Sequence, residues 1–201
     1  MKLERVILAS ANPGKLAELT SLLAPLGIDL APQEILGIES APETGATFLD
    51  NALLKARHAA GRRGLPALAD DSGIEVDALD QAPGVRSARY AGEGAGDEEN
   101  LRKLLFELRD VPQIRRSARY RCVIAFVRDA EDPMPLIAEG SWEGSIAGEA
   151  RGAGGFGYDP IFVPAGERRT AAELSPMEKN AVSHRGKALL ALVAQLRAAN
   201  A

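Results

Sequence analysis

A four-residue apolar run, Val6-Ile7-Leu8-Ala9, breaks off at Ser10-Ala11-Asn12-Pro13-Gly14, and leucines follow at positions Leu16, Leu19, Leu22, Leu23 and Leu26. The first pattern is that of a short buried strand, and the second is one stripe of a helix. Asn12 suits the N-cap, Pro13 the first helical position and Gly27 the C-terminal stop. A strand that passes through a tight loop into a helix is an α/β opening.

The alternation continues. Residues 28–31 read as a strand, and Thr47-x-x-Asp50 is a capping box for a helix that runs to about Arg63 and stops at Gly64. Residues 65–69 form the next strand, followed by the turn-like Asp70-Asp71-Ser72-Gly73 and a short apolar continuation at 74–76. Asp97 caps a helix carrying Leu101, Leu104, Leu105 and Leu108. Residues 118–128 and 135–146 read as two long strands, antiparallel neighbours joined around 129–133. Ser175-Pro176-Met177-Glu178 is a second capping box, opening a helix that carries Leu189, Leu190, Leu192, Val193 and Leu196. The pattern predicts a mixed central β-sheet flanked by helices. The length, 201 residues, fits one domain over 1–201 or two lobes sharing a core, and no linker divides it.

Charge and cysteine content narrow the function. With 24 basic against 28 acidic side chains the net charge is −4, so no global field draws the chain to nucleic acid or an anionic membrane. A polyanionic ligand must be met by a local basic site. The single cysteine, Cys122, lies in the apolar run Cys122-Val123-Ile124-Ala125-Phe126-Val127 and reads as a small buried hydrophobe, and no Cys/His cluster suits zinc. The opening apolar run is too short for a signal-peptide core, and the expected location is the cytoplasm.

Four constellations bear chemistry. Ser10, Asn12 and Lys15 stand where backbone N–H groups open a helix, a place suited to anions; the plain alternative is a cap and a solvated lysine. Asp70 and Asp71, adjacent at a strand end with Glu39 and Glu43 upstream, offer oxygen ligands for Mg²⁺; the alternative is a solvated acidic turn. Gly152-Ala153-Gly154-Gly155-Phe156-Gly157-Tyr158-Asp159 combines close backbone approach with two rings that could stack on a base, or else holds two core aromatics. Lys179, Ser183 and Lys187 share one face of a continuous helix, with His184 and Arg185 between, as a cationic edge or an ordinary solvated face. Together these suit a nucleoside triphosphate carrying Mg²⁺.

The chain resembles the inosine/xanthosine triphosphate pyrophosphatases. The resemblance rests on Ser10-Ala11-Asn12-Pro13-Gly14-Lys15, Glu43-Thr44-Gly45-x-Thr47-Phe48-x-x-Asn51-Ala52-x-x-Lys55-Ala56, Asp70-Asp71-Ser72-Gly73, Pro83-Gly84-Val85-x-Ser87-Ala88-Arg89-Tyr90, Gly155-Phe156-Gly157-Tyr158-Asp159-Pro160 and Glu178-Lys179-Asn180-x-x-Ser183-His184-Arg185. These six blocks stand in family order from end to end of the chain. The resemblance implies an elongated two-lobed domain with a cleft, Mg²⁺ dependence, a homodimer and hydrolysis of ITP, dITP and XTP to monophosphate and pyrophosphate. It implies that Asp71 is the metal-linked acid or base, with Glu43, Asp70 and Glu39 as the candidates to join it at the metal. Ser10, Ala11, Asn12, Pro13, Gly14, Lys15 and Lys55 would hold phosphates, and Ser72 would touch substrate. Phe156, Gly157, Tyr158, Asp159, Lys179, His184 and Arg185 would enclose the base, with Arg185 donating to its 6-oxo group.

A non-catalytic nucleotide sensor and a phosphatase releasing orthophosphate use the same features. Paired acids argue against the sensor, and product identity separates the two hydrolases.

Overall fold

The opening apolar run forms β1 (Arg5–Leu8) in the computed structural model, which describes residues 5–23 and 28–199. β1 pairs in parallel with β2 (Asp29–Pro32) on one side and with β3 (Ala67–Val76) on the other. Parallel neighbours need crossovers, and α1 (Pro13–Leu23) and α2 (Phe48–Arg63) supply them. Local chemistry sets both helix starts. Asn12 Oδ1 accepts the Lys15 N–H at 3.0 Å. Thr47 and Asp50 exchange side-chain-to-backbone bonds as a capping box, and Gly64 closes α2 in the left-handed region at φ 63°. The side chain of Leu22, Leu26 and the expected stop at Gly27 lie outside the described residues.

Three expectations need correction. Asp70-Asp71-Ser72-Gly73 is no turn: it runs inside β3, a single ten-residue strand. Both carboxylates are buried there because cations from distant segments meet them, as described below. Asp97 does not cap α3 (Asp97–Glu107); Gly96 does, its N–H held by Glu99 Oε2 at 2.8 Å. The helix expected to run through Ser183 is two, α4 (Pro176–Val182) and α5 (His184–Ala199). Ser183 adopts extended backbone between them (φ −69°, ψ 161°), so Lys179, Ser183 and Lys187 share no helical face.

β4 (Ser117–Val127) and β5 (Leu136–Ile146) fall where expected. The Ile146 N–H donates to Arg116 O, placing the end of β5 beside the entry to β4, so the two run antiparallel. A three-residue strand, β6 (Phe162–Pro164), pairs antiparallel with β5 and completes a mixed six-stranded sheet in the order β2-β1-β3-β4-β5-β6. No helix among the described residues is long and apolar enough to cross a membrane.

Residues divide into two units: Met1–Asp71, Cys122–Gly140 and Arg185–Ala201 form the first, Ser72–Arg121 and Ser141–His184 the second. Within the first, Val6, Leu8, Leu68, Cys122, Ile124 and Phe126 of the sheet pack with Leu19 and Leu23 of α1 and Leu189 and Leu192 of α5. Within the second, Ile74, Val76, Tyr120, Trp142 and Ile146 pack with Leu101 and Leu104 of α3 and with Tyr158 and Phe162. Burial pushes the Cys122 thiol up to about 12, so it behaves as the inert hydrophobe its neighbours suggest.

Candidate active site

Successive residues on a strand point to opposite faces, and β3 uses this at its centre. Asp70 turns toward α1 and α5, where Lys15 Nζ lies 3.2 Å and Arg185 Nε 3.3 Å from its Oδ2. A second arm of the Arg185 guanidinium is bound by Glu18, one helical turn beyond Lys15. Asp71 turns toward α2. Asn51 Nδ2 donates to its Oδ2 at 3.1 Å and Lys55 Nζ to its Oδ1 at 3.2 Å, while the same ammonium donates to Glu43 at 2.7 Å. Asn51 and Lys55 are four apart and so lie on one face of α2. Asn51 is held in turn by accepting the Gly45 N–H at 2.8 Å; a Cβ on Gly45 would strike Asn51 and Asp50.

Environment separates the two acids. Burial works against the charge on Asp70, yet Lys15, Arg185 and Lys55 hold its carboxyl well below the usual carboxylate range. For Asp71 burial wins: despite Lys55 and Lys15 its carboxyl is pushed above the ordinary value, with Glu43 adding to the rise. Lys55 is held charged against its own burial by Asp71, Asp70 and Glu43. One acid is held as an anion, and burial raises the proton affinity of the one beside it above that of an ordinary carboxyl.

Asp70 Oδ1 is buried and accepts no hydrogen bond. A carboxylate oxygen stripped of water without a donor is what a cation would satisfy. No three His, Cys, Asp or Glu side chains among the described residues gather as a ready-made metal cage. Mg²⁺ does not need one, since it binds through one or two carboxylates and completes its shell with water and substrate phosphates. Glu39, named as a further candidate, is exposed and meets α2 through its backbone, its carbonyl 3.0 Å from His58 Nε2. At the β1–α1 turn Ser10 is buried, its Oγ accepting from the Asn12 N–H, whereas Ala11, Asn12 and Pro13 are exposed and Gly14 half-buried.

The second unit carries the aromatic cluster. Asp159, 2% exposed, takes the Lys179 ammonium at 2.6 Å, the Phe156 N–H at 2.9 Å and the Tyr120 hydroxyl at 3.2 Å. Lys179 Nζ stands 4.8 Å from the Phe156 ring centroid, a cation–π distance. His184 stacks nearly parallel on Tyr120 at 4.6 Å and lies 6.5 Å from Trp142. Gly155 and Gly157 hold positive φ, and a Cβ on Gly155 would overlap the Asp159 carboxylate. Tyr158 is a core aromatic: its ring is buried and its hydroxyl donates to Ser87 O at 2.8 Å. Ser72, the first residue of this unit, is half-buried on β3.

The model of the Ham1 family matches residues 6–195. The chain belongs to the Ham1 family. It is 57% identical over 195 residues to the dITP/XTP pyrophosphatase of Shigella flexneri, covering 97% of this chain and 99% of that one. Among solved structures, a HAM1 protein from Coxiella burnetii superposes with a TM-score of 0.89 at 52% identity, covering 96% of this chain and 98% of that one. The nucleoside-triphosphatase / dITP/XTP pyrophosphatase of Mycobacterium abscessus superposes with a TM-score of 0.75 at 49% identity, covering 94% and 98%. The mixed six-stranded sheet flanked by helices is the fold these family members share with the chain.

Within that family frame, some site residues stand where motif reading did not put them. Arg185 is 1% exposed, and its guanidinium meets Asp70 and Glu18. Lys179 and His184, readable as a solvated basic face, are both buried. Asn51, Glu18, Tyr120 and Trp142 received no role from the sequence. The four-residue spacing of Asn51 and Lys55 could have exposed the first; nothing local announces the others.

Proposed function

We propose that this chain hydrolyses dITP, ITP and XTP to the nucleoside monophosphate and pyrophosphate, in a Mg²⁺-dependent reaction. The observation that carries the reading is the buried Asp70–Asp71 pair, with Lys15 against the first and Lys55 against the second, the first held below and the second raised above the ordinary carboxyl value. The names of the chain's relatives, dITP/XTP pyrophosphatases over nearly their whole length, supply the substrate class.

Asp71 is the general base. Its raised pKa brings proton affinity closer to the operating pH, and Asn51 and Lys55 hold both its oxygens in place. It takes a proton from the water that attacks the α-phosphorus, and the bond to the bridging oxygen of the pyrophosphate breaks. Lys15 and Lys55 neutralise the charge that gathers on that leaving group, with the Gly14 N–H in the first turn of α1 as a further donor. Asp70, through its buried Oδ1 that accepts no hydrogen bond, is the carboxylate that would hold Mg²⁺, with Asp71 and Glu43 as the further candidates on the α2 side of β3; the ion would supply further neutralisation of the phosphate oxygens. Arg185 and Glu18 keep Asp70 ionised. In the second unit, Phe156 offers a stacking ring, and Lys179, held by Asp159 through one N–H of its ammonium, has further N–H donors suited to a 6-oxo group and not to an amino group. Ser72 contacts substrate, and His184 backs this site through its stack on Tyr120. We further propose a homodimer in the cytoplasm, acting on free nucleotides and not on nucleic acid, with residues 1–201 as one domain.

The test is product analysis with ITP, dITP, XTP, ATP and GTP, with and without Mg²⁺, alongside Asp71→Asn. Pyrophosphate confined to the non-standard purines, dependent on Mg²⁺ and reduced about 10²- to 10⁴-fold in the variant, is expected for a lost general base. Orthophosphate as the product, or tight ITP binding without turnover, would overturn the reading.

A further inference from the structure

The glycine-rich loop is tied down from two directions. From its own side, Gly154 N–H donates to Ala172 O at 3.0 Å, and Asp159 collects the Phe156 N–H and the Lys179 ammonium. From the other side come two bonds, both made by residues 84–100: the Tyr158 hydroxyl to Ser87 O, and the Gly157 N–H to Asp97 Oδ2 at 2.7 Å. Asp97 is sixty residues from Gly157 in sequence. It is the first residue of α3, and its carboxylate is not spent on capping, because Glu99 holds the N-cap Gly96. The segment that presents it is knit by Asn100, which accepts the Ala91 N–H at 2.7 Å and donates to Ala88 O at 3.1 Å.

We infer that Asp97 is a positioning residue for nucleobase binding: by accepting the Gly157 N–H it fixes the backbone on which Phe156 is carried. The inference rests on the proposed role of this loop in holding the base. Gly157 sits at φ 62°, a conformation open to glycine but not imposed by it, since glycine reaches many others. A bond to its amide selects this one. Asp97 touches neither the phosphate-facing acids nor, through its own side chain, the base. Its contribution is order present before the substrate arrives, which lowers the cost of binding without altering the chemical step. It acts equally in ground and transition states, so its loss raises KM and leaves kcat alone.

The experiment compares Asp97→Ala, Asp97→Asn, Glu98→Ala and Phe156→Ala in steady-state hydrolysis of ITP. Loss of one hydrogen bond to a charged acceptor predicts a rise in KM of about five- to tenfold for Asp97→Ala, with kcat within about twofold of wild type. Asp97→Asn keeps an acceptor oxygen and restores KM. Glu98 shares the first turn of α3 and pairs with Arg102, so Glu98→Ala, which weakens the same helix start, leaves KM unchanged. A wild-type KM in Asp97→Ala while Phe156→Ala raises it overturns the inference and leaves the base-loop reading standing. No change in either variant overturns the base-loop reading itself. Equal damage from Asp97→Asn and Asp97→Ala shows that charge, not the bond to Gly157, is what matters, and also overturns the inference. Amide hydrogen exchange in the wild-type protein adds a readout that no variant's folding can spoil: protection at Gly157 without nucleotide is expected, and exchange at the rate of an open loop contradicts the bond.

Discussion

Asp70 is a meeting point of cationic side chains in the first unit. Lys15 and Arg185 both converge on it, and Arg185 is itself fully buried. Removing one partner of such a group leaves the other charges uncompensated, which costs far more than the pair contributes. Asp70→Asn should therefore lose about 3–5 kcal/mol of stability at pH 7 in the metal-free protein. The pH dependence has a definite sign. A carboxyl held below the ordinary 3.8 contributes stability that is complete above that value and disappears as the pH falls beneath it. The stability gap between wild type and Asp70→Asn should thus be flat near neutrality and shrink below about pH 4, read by chemical denaturation across the range. A gap independent of pH down to 2 would mean the ion pairs are not its source.

At the scale of elements, α2 shows how a local signal serves a distant purpose. Its N-terminus is fixed by Thr47 and Asp50, and its first two turns carry Asn51 and Lys55 to Asp71. Thr47→Ala should cost about 1 kcal/mol, seen as a lower urea midpoint with an unchanged slope. The capping box and Gly64 were legible because each depends on residues within one turn. So was the pair of long strands, whose apolar runs needed no knowledge of partners. The interior of β3 was not legible. Asp70-Asp71-Ser72-Gly73 has turn composition, and what keeps it extended and buried is charge arriving from Lys15, Lys55 and Arg185, up to 115 residues away. The break at Ser183 was hidden for a related reason: apolar residues continue on both sides, and the extended backbone there places Lys179 against Asp159 and His184 against Tyr120. β6, at three residues, is too short for any periodicity to reveal. Most named site residues were legible as motifs, but their partners were not.

For the molecule as a whole, two apolar cores are threaded by the same strands. β3 and β4 each cross from one unit to the other in sequence, and so does β5. Neither core can lose its strands without breaking the ladder that the other uses. Unfolding should accordingly be one transition. Trp142, the single tryptophan, reports on the second core, while far-UV circular dichroism reports on all helices and strands. The two probes should give coincident urea curves; a Trp142 transition displaced from the other would show that the units unfold separately.

The alternation of β3 has a consequence for what changes the chain can survive. Which acid becomes the clamped anion and which the proton acceptor is decided by parity alone, odd against even position along one strand. Deleting one residue between Ala67 and Asp70 would leave the composition almost untouched and turn both acids to the opposite faces. Asp71 would then be handed to Lys15 and Arg185, and the α2 side would receive whatever neighbour took its place. Point substitutions here are graded in their effects; a one-residue shift of register within the strand is all or nothing.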